Sequence, residues 1–143
     1  MKENILISAC LLGETCRYDG RGCLAPDIEK LKAKYNLIPI CPEVLGGLAT
    51  PRNPAEQKFG KVFDNQGNDV TNAFVSGAQQ CLEIARKHNC KIAILKSKSP
   101  SCGFGQIYDG TFSRRLVSGN GITAKLLHGN GIKIYTENTF LNI

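Results

Sequence analysis

Three cysteines stand where a short apolar run stops. Cys10 follows Ile5-Leu6-Ile7-Ser8-Ala9, Cys41 follows Leu37-Ile38-Pro39-Ile40, and Cys102 lies in Ser99-Pro100-Ser101-Cys102-Gly103, just beyond Ile92-Ala93-Ile94-Leu95. Three thiolates brought together repel one another unless a cation or cluster neutralises them, so their convergence implies a metal. Thiolate sets select zinc or iron–sulfur clusters. A structural zinc site takes four ligands, usually as paired Cys-x-x-Cys knuckles, and no such knuckle occurs here. Three ligands on three separate loops suit a cubane cluster with one open iron. The competing reading of the same spacing is three small apolar side chains buried at strand ends.

The other four cysteines separate by position. Cys16 lies in the same loop as Cys10, six positions on, and is the rival for a fourth ligand. Cys81 falls on the apolar face of a predicted helix and Cys90 at its end, where both read as core, and Cys23 reads as an exposed thiol. Beside the thiols, Glu43 follows Cys41 by two residues and is the carboxylate for proton transfer. Ser99 and Ser101 flank the Cys102 turn and offer hydroxyls, with turn formation as their plainer role. Arg17, Asp19, Arg52 and Lys96 are the candidate substrate-binding residues, the three cations being suited to an anion and otherwise ordinary solvated charges. Asp19 belongs to Tyr18-Asp19-Gly20, a tripeptide repeated at Tyr108-Asp109-Gly110, and both copies read as turns with glycine at positive φ. His88 and His128 end predicted helices as cationic caps.

The elements that must carry these residues alternate in type. Residues 5–10 form a continuous apolar run, as a strand buried on both faces requires. Residues 26–35 read as a helix with Pro26 at its first position and Ile28, Leu31 and Tyr35 on one face. Residues 37–41 read as an edge strand, because Pro39 withholds a ladder donor. Residues 53–68 are polar, broken by glycine and without sustained period, so they read as a long irregular excursion of functional length. The longest helix covers 70–88, capped by Asp69 or Thr71, with Phe74, Ala78, Cys81, Leu82 and Ala85 on its inner face. A strand at 91–96, a short helix at 121–127 and a strand at 132–135 follow. The pattern predicts an α/β fold, a three-layer open and mostly parallel sheet with helices on both faces in Rossmann-like or flavodoxin-like order, as one domain over 1–143. Ligands of such sheets bind beyond the carboxyl ends of the strands, where strand order reverses, and an order 2-1-3-4 places the three cysteine-bearing ends side by side.

Composition narrows the function. With 42% hydrophobic and 21% charged residues the chain is globular rather than disordered. Seven cysteines in 143 residues fall below the roughly 8 to 10% of a disulfide scaffold. The start has no basic, apolar leader and no stretch reaches the roughly 18 apolar residues of a membrane span, so a soluble, unexported, cytoplasmic protein with reduced thiols and no membrane partner is expected. Eighteen Lys and Arg against twelve Asp and Glu give +6, without the like-charge block of a nucleic-acid tail. A basic surface suggests anionic ligands without choosing among them, with nucleic acid the less expected for want of such a block.

Several phrases together resemble one family. Ile-Ser-Ala-Cys-Leu-Leu-Gly (7–13), Cys-Arg-Tyr-Asp-Gly (16–20), Cys-Pro-Glu-Val-Leu-Gly-Gly-Leu (41–48), Pro-Arg-Asn-Pro-Ala-Glu (51–56), Ser-Pro-Ser-Cys-Gly (99–103) and Ile-Tyr-Asp-Gly-Thr-Phe (107–112) are similar to the small bacterial and archaeal thiouracil desulfidases. The ordered set spans almost the whole chain. The resemblance implies a [4Fe-4S] cluster on Cys10, Cys41 and Cys102 with one iron open to take sulfur from a thiolated uracil, leaving uracil and hydrosulfide. It implies Glu43 as the proton-transferring carboxylate and Ser101 as its partner, with Ser99 nearby. Relatives carry residues other than cysteine at the place of Cys16, which leaves it outside the cluster. In that reading the C–S bond is polarised at the open iron while water attacks the ring carbon, a hydrolysis without change of oxidation state. A thiouridine monophosphate is expected to be used better than the free base, because its phosphate meets the cations. A zinc nucleobase deaminase is excluded, since neither histidine stands in a His-x-Glu followed by Pro-Cys-x-x-Cys. The remaining alternatives are a non-enzymatic metal or cluster-binding module, which would release no sulfide, and a basic nucleotide- or RNA-binding protein, whose affinity would fall steeply with salt.

Overall fold

Ile5, Leu6 and Ile7 are fully buried, as are Ala93, Ile94 and Leu95, and residues of this kind stay dry only in strands covered on both faces. They form the middles of β1 (Glu3–Ser8) and of β5 (Ile92–Leu95) in a computed structural model that describes residues 2–143. The central sheet adds β2 (Tyr35–Ile40) and β8 (Lys133–Thr136) in the order β2-β1-β5-β8, with every pairing parallel. Counting these four strands alone, this is the order 2-1-3-4, the one that sets the cysteine-bearing ends side by side. Pro39 lies on the outer strand opposite Ile7, where its missing N–H costs no ladder bond.

Helices close both faces. On one, α3 (Thr71–Lys87) and α4 (Ile122–Gly129) set Cys81, Leu82, Ala85, Ala124 and Leu127 against Leu6, Ala93, Leu95 and Ile134. On the other, α1 (Ile28–Lys34) sets Ile28 and Leu31 with Phe140 against Ile5, Ile7 and Ile94. Among the described residues no helix is long and apolar enough to cross a membrane. Cys81 and Cys90 lie in the core, as read from their helix positions, whereas Cys23 is half-buried rather than exposed because it packs on the α1 side.

Several boundaries move. The first strand ends at Ser8, and Cys10 lies in a 3-10 turn, Ala9–Leu12, that carries the chain off the sheet edge. The first helix is shorter than read, and Tyr35 already belongs to β2, so helix passes into strand with no loop. Cys41 follows β2 as the residue before α2 (Pro42–Leu45). Of the two predicted caps Asp69 serves the start of α3, its Oδ1 accepting the N–H of Thr71, the first helical residue, at 2.9 Å, whereas Thr71 Oγ1 accepts the Val62 N–H at 2.9 Å. The two Tyr-Asp-Gly turns do carry positive φ at Gly20 and Gly110.

The excursion at 53–68 is not irregular. It contains an antiparallel hairpin of β3 (Ala55–Lys58) and β4 (Lys61–Asp64), joined by Phe59-Gly60 with both residues at positive φ, the geometry of a primed two-residue turn. Its alternation is hidden because two inward positions are carboxylates. Glu56 Oε1 accepts the N–H groups of Gly110 (3.0 Å) and Phe112 (3.2 Å), while Asp64 Oδ1 accepts those of Gln66 and Asn68 (both 2.9 Å). A second small hairpin, β6 (Gln106–Tyr108) with β7 (Leu116–Ser118), follows the Cys102 loop.

Candidate active site

The strand order reverses between β1 and β5, since the chain leaves β1 toward β2 and returns on the opposite side as β5. Ligand sites of open α/β sheets lie beyond the carboxyl ends at such a point. Cys10 sits just past β1, and its carbonyl accepts the N–H groups of Gly13 (3.0 Å) and Cys23 (2.8 Å), which folds the following loop back over it. Cys41 sits just past β2. Its short helix presses on α3 because Gly46 and Gly77 lack side chains: a Cβ at Gly77 would fall on the Pro42 carbonyl, and one at Gly46 on the Ala73 carbonyl. Glu43 thereby takes a fixed place in the first turn after Cys41.

Cys102 is presented by a heavily bonded loop beyond β5. Ser99 Oγ accepts the N–H groups of Ser101 (3.1 Å) and Cys102 (3.0 Å), so the turn-forming role applies to this hydroxyl. Ser101 is fully buried, with Oγ 2.8 Å from Thr123 Oγ1 at the start of α4. Gln57 Nε2, from β3, donates to the carbonyls of Pro100 and Asn120, both at 2.9 Å. Ser8 Oγ donates to Cys102 Sγ at 3.4 Å and accepts the Lys96 N–H at 3.0 Å.

The thiols differ in their hold on the proton. Burial pushes the Cys10 pKa up to about 12, with Cys23 and Cys41 adding to the rise against Lys96 and Arg17. Burial likewise holds Cys102 well above the ordinary thiol range, against the opposing Ser8 hydrogen bond. Cys41 goes the other way, down to about 6, because the Cys16 thiol donates to its sulfur, and that bond in turn keeps Cys16 protonated. The Cys41 sulfur also lies 3.7 Å from the Cys16 carbonyl. Burial, with Cys41 adding to the rise, pushes Cys81 up to about 12, as suits a core thiol.

All seven cysteines are free. Among the described residues no three His, Cys, Asp or Glu side chains are gathered so as to hold a metal ion as they stand. Cys102 Sγ accepts from Ser8, and Cys41 lies against Cys16. By donor chemistry the set fits a thiophilic iron–sulfur group: soft sulfur donors sit past β1, past β2 and past β5, the carboxyl ends of three neighbouring parallel strands.

The charged candidates arrive with partners. Arg52 Nη2 lies 2.9 Å from Glu43 Oε2, and Lys96 Nζ lies 2.8 Å from Glu137 Oε2. Glu137 also accepts the Ser97 N–H and hydroxyl, each at 2.8 Å. Arg17 stacks over Tyr18, 6.0 Å from the ring centroid, and Asp19 Oδ1 accepts the Arg21 N–H at 3.0 Å within its turn. A cavity of about 300 Å³ opens beside Glu43 and Arg52, with Asn53 and Asp64 in its wall. Sequence reasoning named Arg52 and Lys96 as anion binders and did not find their carboxylate partners, nor Ser8, Gln57 and Glu137. No local signal marks these residues, since the contacts of Ser8, Gln57 and Glu137 each join segments 40 or more positions apart.

Comparison with known proteins bears on the fold and the family. The profile of the 2-thiouracil desulfurase family matches residues 5–139. The chain belongs to the 2-thiouracil desulfurase family. Its activity is that of a desulfidase acting on thiolated uracil. A solved member, described as the [4Fe-4S]-dependent thiouracil desulfidase TudS, is 40% identical and superposes with a TM-score of 0.93 over 99% of this chain and 95% of that one. A relative from Bacillus subtilis (strain 168), the uncharacterized protein YbbK, is 41% identical over 97% of this chain and 99% of its own. Desulfidase family membership thus covers the elements carrying Cys10, Glu43, Cys41 and Cys102 alike.

Proposed function

We propose that this desulfidase works with a [4Fe-4S] cluster held by Cys10, Cys41 and Cys102, leaving one iron open to the sulfur of a thiolated uracil, free or as its nucleotide. The observation that carries the reading is the placement of three free thiols past β1, β2 and β5, with an ion-paired carboxylate, Glu43, two residues from one of them. When bound, the cluster supplies a thiophilic Lewis acid for the C–S bond. The chain's own residues do the rest. Glu43 gives one oxygen to Arg52 and keeps the other for exchanging a proton with water or a ring nitrogen. Ser101 has hydrogen-bonding capacity beyond its Thr123 contact and is the hydroxyl assigned to act with Glu43. Ser99 holds the turn that presents Cys102. Arg17 is the cation assigned to a substrate phosphate, because Arg52 and Lys96 are engaged by carboxylates. Seven free thiols suit the reducing cytoplasm as the place of action.

Anaerobic reconstitution with iron and sulfide, followed by visible absorption and by sulfide release from a thiolated uracil, tests the reading. The loaded protein should release sulfide and the cluster-free protein should not. Glu43→Gln should keep the absorption and lose about 10²- to 10⁴-fold in turnover. Sulfide release that persists without the cluster would overturn the proposal.

A further inference from the structure

Ser8 ends β1 with a hydroxyl where the three preceding residues are apolar and fully buried. It is only 2% exposed, and a buried hydroxyl is costly unless it is bonded. Both of its contacts cross to other elements. Its oxygen accepts the Lys96 N–H at 3.0 Å, just beyond β5, and its proton is directed to Cys102 Sγ at 3.4 Å, in the loop beyond. A hydroxyl has one proton, so the amide contact fixes the oxygen as acceptor and leaves that proton for sulfur.

We propose that Ser8 is a positioning residue for Cys102 as a cluster ligand, its O–H donating to the ligand sulfur. The inference rests on the assignment of Cys102 as a ligand made above. A thiolate accepts such a bond more strongly than a thiol does, so the contact would be tighter with Cys102 as an iron-bound thiolate, its proton released to solvent. It holds the side chain in one orientation and withdraws negative charge from the sulfur. Hydrogen bonds to the sulfurs are among the determinants of cluster potential, and losing this one makes the cluster harder to reduce. Outer partners that orient a ligand also slow loss of the metal, by about 10- to 100-fold in affinity.

The test compares anaerobically reconstituted wild type, Ser8→Ala, Ser8→Thr and Cys102→Ala. Iron and acid-labile sulfide per chain, the midpoint potential and the rate of iron loss to a chelator are measured. Ser8→Ala should carry a cluster with a lower midpoint potential and lose iron about 10-fold faster or more, while Ser8→Thr, which keeps the donor, should match wild type. A Ser8→Ala protein with wild-type potential and chelator rate, beside a cluster-deficient Cys102→Ala protein, overturns the role of Ser8 alone. A complete cluster in Cys102→Ala overturns the ligand assignment itself. Wild type supplies a measurement independent of whether Ser8→Ala folds: the paramagnetic reduced cluster should couple to an exchangeable proton at hydroxyl-to-sulfur distance from Cys102, and its absence overturns the proposal.

Discussion

Arg52 ties Glu43 to the loop that carries Cys16. Its Nη2 lies 2.9 Å from Glu43 Oε2 and 3.0 Å from the Cys16 carbonyl, while Nη1 donates to the Ala49 carbonyl (3.1 Å) and Thr50 Oγ1 (3.0 Å). The Arg52 side chain is 7% exposed and that of Glu43 is 19% exposed, so the pair is largely withdrawn from water. Lysine cannot reproduce a planar fork that serves four acceptors at once.

Arg52→Lys should therefore leave the cluster absorption in place and lower turnover by about 10- to 100-fold through misplacement of Glu43. Arg52→Met, which strands the carboxylate, should also cost about 3 kcal/mol in stability, and adding Glu43→Gln should restore part of that loss. Denaturant unfolding and steady-state kinetics on the same three proteins check both parts. Equal stability of Arg52→Met and wild type would mean the pair does no structural work.

Gln57 acts from the β3–β4 hairpin on the Cys102 loop through two carbonyls, those of Pro100 and Asn120. Gln57→Ala should lower stability by about 1 to 3 kcal/mol, the range for two such bonds, and should speed loss of iron to a chelator. Gln57→Glu replaces a donor by an acceptor facing the same carbonyls and should do more damage than alanine. Thermal unfolding of both proteins, with chelator kinetics, measures the order.

The Lys96–Glu137 pair supplies a pH dependence. Burial raises the Glu137 pKa, but the Lys96 ammonium and the Ser97 N–H and hydroxyl outweigh it and hold the carboxyl below its ordinary value of 4.5. A depressed carboxylate stabilises the fold above its unfolded pKa, and that contribution fades as pH falls through the folded value. The stability gap between wild type and Glu137→Gln should thus be flat above about pH 5.5 and shrink as pH drops below about 4.5. Melting temperatures across pH 3 to 7, about the range over which a carboxylate of this kind titrates, are the measurement.

Cys16 and Cys81 separate ligand thiols from the rest. Cys10→Ala, Cys41→Ala and Cys102→Ala should each abolish the broad iron–sulfur absorption. Cys81→Ala should keep it and cost about 1 kcal/mol, as a small core truncation does. Cys16→Ala should also keep it, while removing the donor that holds Cys41 ionised, so cluster assembly should need a higher pH. A Cys16→Ala protein as empty as Cys10→Ala would leave no open iron.

Arg17 is proposed to meet the substrate phosphate. Arg17→Gln should raise KM for thiouridine monophosphate by about 10-fold, equivalent to a charge-assisted contact, and leave that for the free thiolated base unchanged. The advantage of the nucleotide should shrink with salt in wild type. Equal use of nucleotide, nucleoside and base at all salt concentrations would remove the phosphate from recognition.

The sheet and its cysteines were legible in the sequence because both depend on local pattern. A strand buried on two faces writes itself as an unbroken apolar run, so Ile5 to Ile7 and Ala93 to Leu95 declare their place, and a thiol just past such a run falls at the sheet edge whatever the rest of the chain does. The helix over Thr71–Lys87 was legible for the same reason, its buried Phe74, Ala78, Cys81, Leu82 and Ala85 recurring at helical spacing. The hairpin of β3 and β4 was not, because Glu56 and Asp64 occupy inward positions that pattern reading reserves for apolar residues; Glu56 is satisfied by a loop brought from elsewhere and Asp64 by the turn that follows it. The same holds for the charges and hydroxyls of the site. Whether Lys96 is a free cation or half of an ion pair depends on Glu137, 41 positions away, and whether Ser8 is a buried liability or a donor to sulfur depends on Cys102, 94 positions away. Burial follows from the periodicity of one element, but the partner of a buried polar group is set by which elements the fold lays side by side, and that only the tertiary structure decides.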